Sequence, residues 1–203
     1  MAARTALVVI DCQNDFAHPD GALAVRDGAA ILPRVASLMA DIRAGEGFVV
    51  ATLDWHPANH ASFASAHGRP PFTEWHGRML WPDHCVAGTW GAELAAGIDG
   101  GMIDRRLLKG CHPQDESYSG FRDDTPIDGS VELTLEQVLR TAEVRELDVV
   151  GLATDYCVRA TVLDALSLGF TVRVHADAIR PVDATSGDRA LREMAAAGAA
   201  IVG

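Results

Sequence analysis

Lysine is almost absent from this chain, and arginine supplies nearly all of its positive charge. No basic cluster exists to neutralise phosphates, and a formal net charge of −11 argues against a nucleic-acid surface. The excess of acid serves solubility. No apolar run approaches the length of a membrane span, so no membrane partner is expected. The opening residues run straight into a strand without a signal-peptide layout. Only four cysteines occur, Cys12, Cys85, Cys111 and Cys157, with no CxxC pair and no secreted spacing. They read as reduced thiols of a cytoplasmic protein. What is abundant is apolar: 48% hydrophobic residues against 22% charged, the balance of a globular protein. A chain of 203 residues can bury a substantial core, and no linker or repeat divides it, so one domain over residues 1–203 is expected.

Apolar, strand-like runs at 6–10, 48–53, 103–108, 148–153, 171–175 and 199–202 alternate with helical patterns at 28–44, 134–144, 155–168 and 188–197. In the first helix Ile31, Leu32, Val35, Leu38, Met39 and Ile42 form one stripe, which Gly45 and Gly47 stop. Thr134 is placed to cap the second. The run at 148–153 is apolar almost throughout, as in a strand covered on both faces. This alternation predicts a doubly wound α/β domain, a mainly parallel six-stranded sheet flanked by helices. Between 53 and 103 the pattern breaks into Trp, His, Pro and Gly, with only a short helix expected near 91–96. Trp55, Trp75, Trp81 and Trp90 all lie there, which predicts an ordered, pocket-building excursion. A second irregular stretch spans 110–130, and both are expected to rise over the sheet edge as walls of a site.

Four of the apolar runs lead into residues that can do chemistry: Asp11, Asp54, Lys109 and, four residues beyond a strand, Cys157. In a parallel sheet the carboxyl ends of the strands share one edge, where ligands bind. Cys157 stands in the first turn of a helix, where amides and the helix dipole favour a thiolate and could hold an oxyanion. Alternatively it is a small buried core residue. Asp11 follows an apolar floor that would raise its pKa and suit it to proton exchange, or else it caps a turn. Lys109 could hold both anions by charge, or be a solvated lysine. Asp54 and His56, two apart on a strand exit, can reach a common point, with His84 as third ligand. Two histidines and a carboxylate leave open positions for water or substrate. The chain has eight histidines, so chance clustering stays open, and His60 is either a further ligand or a second-shell or loop group. His18, His67, His76, His112 and His175 read as surface or loop residues, and Cys12, Cys85 and Cys111 as structural.

Five blocks then stand in order: Asp11-Cys12-Gln13-Asn14-Asp15-Phe16; Asp54-Trp55-His56-Pro57 with His60; Trp81-Pro82-Asp83-His84-Cys85-Val86 with Gly88-Thr89; Lys109-Gly110 with Tyr118-Ser119-Gly120-Phe121; and Ala153-Thr154-Asp155-Tyr156-Cys157-Val158. In this order and spacing the chain resembles the nicotinamidases, within the isochorismatase-like cysteine hydrolases, from about Thr5 to its C-terminus. The resemblance implies the isochorismatase-like hydrolase fold and hydrolysis of nicotinamide to nicotinate and ammonia through a cysteine thioester, with pyrazinamide as a further substrate. It places the nucleophile on Cys157, the acid/base on Asp11 and the lysine on Lys109. It implies one divalent metal ion on Asp54, His56 and His84, usually zinc, with iron or manganese in relatives, holding the pyridine nitrogen. It further implies a cis peptide at Leu152–Ala153, an oxyanion hole from the Ala153 and Cys157 amides, and a ring enclosed by Phe16, Trp81 and Tyr118. Cys12 departs from the larger aliphatic residue common in relatives and suggests oxidation sensitivity. Three other readings stand beside this one. An amidohydrolase of the same superfamily acting on a ureido or carbamoyl group is disfavoured by the full metal set. Isochorismate ether hydrolysis is disfavoured by Cys157. A non-catalytic ligand-binding module leaves the acid, lysine and thiol unexplained. A homo-oligomer is compatible with the sequence but not indicated by it.

Overall fold

The computed structural model describes residues 4–114, 117–122, 125–126 and 133–203. Its strands are β1 (Arg4–Ile10), β2 (Phe48–Asp54), β3 (Thr73–Trp75), β4 (Arg78–Leu80), β5 (Arg105–Lys109), β6 (Thr125–Pro126), β7 (Val144–Leu152), β8 (Thr171–Arg180) and β9 (Ala200–Val202). Six of them form the expected parallel sheet, in the order β5-β2-β1-β7-β8-β9, and the short β6 adds an antiparallel edge beside β5. The helices are α1 (Asn14–Ala17), α2 (Leu32–Ala44), α3 (Leu135–Thr141), α4 (Arg159–Ser167) and α5 (Ala184–Ala196). Among the described residues none is long and apolar enough to cross a membrane.

The period of two along each strand sorts the core into two layers. Leu7 and Val9 of β1, with Val49, Ala51 and Leu53 of β2, pack under Val35, Leu38 and Met39 of α2. Ala6, Val8 and Ile10 point the other way, onto Leu135, Val138 and Leu139 of α3, Val162 of α4 and Met194 of α5. Every residue of β1 from Ala6 to Ile10 is therefore fully buried, as a near-continuous apolar run requires. Each such Leu or Ile contributes about 1.5–3 kcal/mol of transfer free energy. Thr134 caps α3 as its spacing suggests, accepting from the Gln137 N–H while the Gln137 side chain reaches back, a capping box.

The differences lie where patterns are short or polar. β7 starts at Val144, before the expected run, and its first residues escape the apolar pattern because Arg145 and Glu146 lie at the solvated end of the sheet. α5 starts at Ala184 because the Asp183 side chain accepts from the Ser186 N–H. The helix expected near 91–96 is a single 3₁₀ turn, Trp90–Ala92. The first irregular stretch contains the β3–β4 hairpin, whose three-residue strands are too short to show a period. His175 is not a surface or loop residue: it lies on β8, with Nε2 2.8 Å from Asp148 Oδ1. Of the second irregular stretch, residues 115–116, 123–124 and 127–130 lie outside the described residues.

Candidate active site

The main chain brings four distant residues to one sheet edge. β1 ends at Ile10, and Asp11 turns the chain with φ of 47° while its N–H still reaches the Thr52 carbonyl at 3.1 Å. Thr52 Oγ1 donates to Asp11 Oδ1 at 2.8 Å, which fixes the carboxylate. Asp54 and Lys109 are the last residues of β2 and β5 and lie in register with each other. Cys157 rides a π-helical turn, Thr154–Val158, that joins β7 to α4 just after a cis Leu152–Ala153 peptide. All four side chains are buried, Asp11 and Lys109 completely.

Lys109 is the chain's only lysine, and three anion-forming groups share it. Its Nζ donates to Asp54 Oδ1, lies 2.9 Å from Asp11 Oδ2 and 3.4 Å from Cys157 Sγ. Burial works against the ammonium, but Asp11 and Asp54 outweigh it and hold Lys109 well above its ordinary pKa. Burial likewise pushes Asp54 up, and Lys109 with His56 and His84 overcomes this, leaving it firmly ionised. Asp11 goes the other way: burial, aided by the Asp54 charge, wins over Lys109 and raises its pKa. Asp11 Oδ2 meets Nζ as an ion pair without a well-aligned hydrogen bond, so this oxygen is open to a proton. Burial and the two carboxylates also outweigh Lys109 at Cys157 and raise its pKa well above the usual thiol value. The helix start therefore does not set the resting state; the sulfur waits as a thiol beside a carboxylate of raised basicity.

A second group of donors adjoins Asp54. His56 Nε2 and His84 Nε2 lie 3.6 and 4.0 Å from Asp54 Oδ2. Each ring turns Nδ1 to a carbonyl oxygen, Gly110 O at 2.9 Å for His56 and Pro82 O at 2.7 Å for His84. A carbonyl only accepts, so both protons are assigned to Nδ1, and both Nε2 lone pairs are left for a metal. Burial, reinforced by His56, lowers His84 to about 4, which keeps it neutral. Two imidazoles that present Nε2 and an ionised carboxylate, with one ligand atom each within 4.8 Å of the others, fit a divalent transition metal. Gly110 is required beside them: its φ is +64°, and a Cβ there would stand 2.3 Å from the His56 ring. Asp11, Asp54 and Cys157 also cluster within 4.8 Å, but the Lys109 ammonium already provides the cation among them. His60 is outside the trio; its Nδ1 is 2.7 Å from Ser62 Oγ and its ring packs 4.2 Å from that of His56.

A pocket of about 450 Å³, mouth included, opens onto Cys157, Asp54, His56 and His84. Phe16, Trp81 and Tyr118 line it, and Trp81 Nε1 donates to Tyr118 Oη at 3.2 Å. Ala153 lines it beside the thiol. Asp11 and Lys109 stand behind Cys157 and have no share in the wall, so a ligand meets sulfur first. Sequence reasoning missed Leu23, Tyr156 and Val182, which complete the apolar wall. Tyr156 had a signal in its place beside Cys157, and it packs edge-on against Trp81 at 5.0 Å. Leu23 and Val182 stand in loops, where no periodicity marks them, and had none. Cys12 is fully buried, and burial with the Asp11 charge pushes its thiol far up. It lacks the thiolate character that oxidation needs, against the expected sensitivity.

The nicotinamidase of Escherichia coli (strain K12) is 44% identical over 206 residues, covering 97% of this chain and 93% of that protein. The nicotinamidase/pyrazinamidase of Mycobacterium tuberculosis is 38% identical over 203 residues, 97% of each chain. The crystal structure of a pyrazinamidase of Pyrococcus horikoshii in complex with zinc superposes with a TM-score of 0.82 at 38% identity, over 98% of each chain. The model of the isochorismatase domain matches residues 5–203, from the first strand of the sheet through every residue of the site, and the chain belongs to the isochorismatase domain family.

Proposed function

We propose that this chain hydrolyses nicotinamide to nicotinate and ammonia. The observation that carries the reading is a single pocket in which the Cys157 thiol, backed by Asp11 and Lys109, adjoins the Asp54, His56 and His84 donors. The 44% identity to a nicotinamidase supports the substrate. Asp11 takes the thiol proton, and the sulfur attacks the amide carbon, forming a C–S bond as the carbonyl electrons move to oxygen. The Ala153 and Cys157 N–H groups hold that oxyanion. Its collapse breaks the C–N bond while Asp11 returns the proton to nitrogen, and ammonia leaves. Water then attacks the thioester, Asp11 takes its proton, the C–S bond breaks and the thiol is restored. Lys109 keeps its charge throughout and offsets the anions that form beside it.

Asp54, His56 and His84 would hold a divalent ion, zinc in this reading with iron or manganese as alternatives, and it supplies a Lewis acid for the ring nitrogen. Phe16, Trp81 and Tyr118 enclose the ring and set the carboxamide against the sulfur. Positioning of this kind is worth up to about 7–11 kcal/mol. Pyrazinamide, which keeps a ring nitrogen one carbon removed from the carboxamide-bearing carbon and adds a second next to it, is a further substrate. The product feeds pyridine-nucleotide salvage. The four free cysteines and the charge of −11 support a cytoplasmic protein without a nucleic-acid partner. The test is ammonia release by the zinc-loaded chain from nicotinamide and from benzamide, which lacks the ring nitrogen. Fast turnover of nicotinamide and far slower turnover of benzamide is expected. Equal rates would remove the metal as ring anchor, and no turnover of nicotinamide would reject the substrate.

A further inference from the structure

We infer that Gln13 is a positioning residue for the metal centre, holding the main chain of Asp54 from the side that β1 has left open. The β1–β2 ladder runs in register from Ala6↔Phe48 to Ile10↔Thr52, and its last bond is Asp11 N–H to the Thr52 carbonyl. Asp11 then turns the chain away, and Asp54 has lost the strand that would have paired with it. The Gln13 carboxamide takes that place. Its Oε1 accepts from Asp54 N–H at 2.8 Å, and its Nε2 donates to the Asp54 carbonyl at 2.7 Å. The second Nε2 hydrogen goes to the Ala92 carbonyl at 2.9 Å, in the segment that follows the His84 loop. The amide can be placed only this way round, because a main-chain N–H must face an acceptor and a carbonyl a donor.

The other edge of Asp54 is held by β5, in register with Lys109, where Trp55 N–H donates to the Lys109 carbonyl at 2.9 Å. Asp54 is thus clamped between a strand and a side chain that imitates one. Its carboxylate must serve Lys109 through Oδ1 and face both imidazoles through Oδ2, so a small rotation of its backbone disturbs both. Gln13 is fully buried and precedes α1, yet it makes no side-chain cap there; its amide is spent on Asp54 and Ala92 instead.

This inference rests on the proposed metal site, and the test separates the two. Zinc affinity by chelator competition and thermal midpoint are measured for wild type, Gln13→Met, and Leu139→Ala, a cavity variant in the opposite core layer. Gln13→Met is expected to raise the zinc Kd about 10–100-fold, as removal of an outer-shell partner does. Leu139→Ala is expected to lower the midpoint while leaving the Kd within about twofold, since it touches no ligand. If Gln13→Met does not fold, Gln13→Glu replaces it: it keeps the acceptor for Asp54 N–H but presents lone pairs to two carbonyls, and the same weakening is expected. A wild-type Kd in the Gln13 variant, or equal weakening by Leu139→Ala, overturns the positioning role alone. A wild type that binds no zinc overturns both the role and the metal site.

Discussion

Two charged clusters with opposite balances of donors and carboxylates occupy the same sheet. On β7 and β8, Asp148 faces two bonds from Arg173, each at 2.7 Å, and one contact from His175 at 2.8 Å. Burial would raise this carboxylate, but His175 and Arg173 win and lower it to about 2. At the carboxyl edge the numbers are reversed: one ammonium serves two carboxylates and a thiol, and one carboxylate is raised rather than lowered. The first cluster has more donors than it needs and is a static tie between strands. The second has fewer than it needs, so the Cys157 proton rests beside a carboxylate whose basicity burial has raised. Unequal pairing of this kind is expected where a site works on protons rather than merely holding the fold.

Removing the shared cation should separate the clusters most. Lys109→Met leaves Asp11 and Asp54 facing each other in a dry site. Loss of one partner of a buried pair costs about 3–5 kcal/mol, which denaturant unfolding would read, with turnover lost alongside. A Lys109→Met variant of unchanged stability would show that the charges do not depend on one another. Asp11→Asn should split the two properties: kcat falls about 10²–10⁴-fold for loss of the general base. Its folded pKa is raised, so its ionised form opposes folding at neutral pH, and the variant should be at least as stable as wild type. Steady-state kinetics beside thermal unfolding would detect any departure. Gly110→Ala drives a Cβ into the His56 ring and should weaken zinc about 10–100-fold in chelator competition, with Lys109 still in place. Unchanged zinc binding would mean that His56 is not a ligand.

The smallest effect belongs to the satisfied cluster. Asp148→Asn should cost about 1–2 kcal/mol, reduced by the partial exposure of Arg173, with kcat unchanged. Because the folded pKa of Asp148 is depressed, its contribution is present above 3.8 and lost as the pH falls to about 2. Unfolding of the variant and of wild type should therefore converge in acid. A persistent gap there would assign the loss to packing.

The sequence revealed the groups that stand at the ends of patterned runs. Asp11, Asp54 and Lys109 each close an apolar strand, so the topology alone brings them together. Cys157 needed one more step, the turn into a helix. Tertiary bookkeeping stayed hidden. Gln13 reaches a main chain 41 residues away, and nothing in its own neighbourhood records that. Leu23 and Val182 join the pocket wall from loops whose path no periodicity describes. His175 looked isolated because its partner Asp148 sits on the neighbouring strand, in an otherwise apolar run. Which way a thiol's pKa moves likewise depends on burial and on neighbours from β1, β2 and β5, not on the helix that carries it.

The most direct test is ammonia release from nicotinamide by wild type and Cys157→Ala, both folded and with equal metal content. Turnover by wild type and none by the variant is the expected result. Continued release by Cys157→Ala would contradict the account, because the amide would then be cleaved without the thiol that the whole cluster serves.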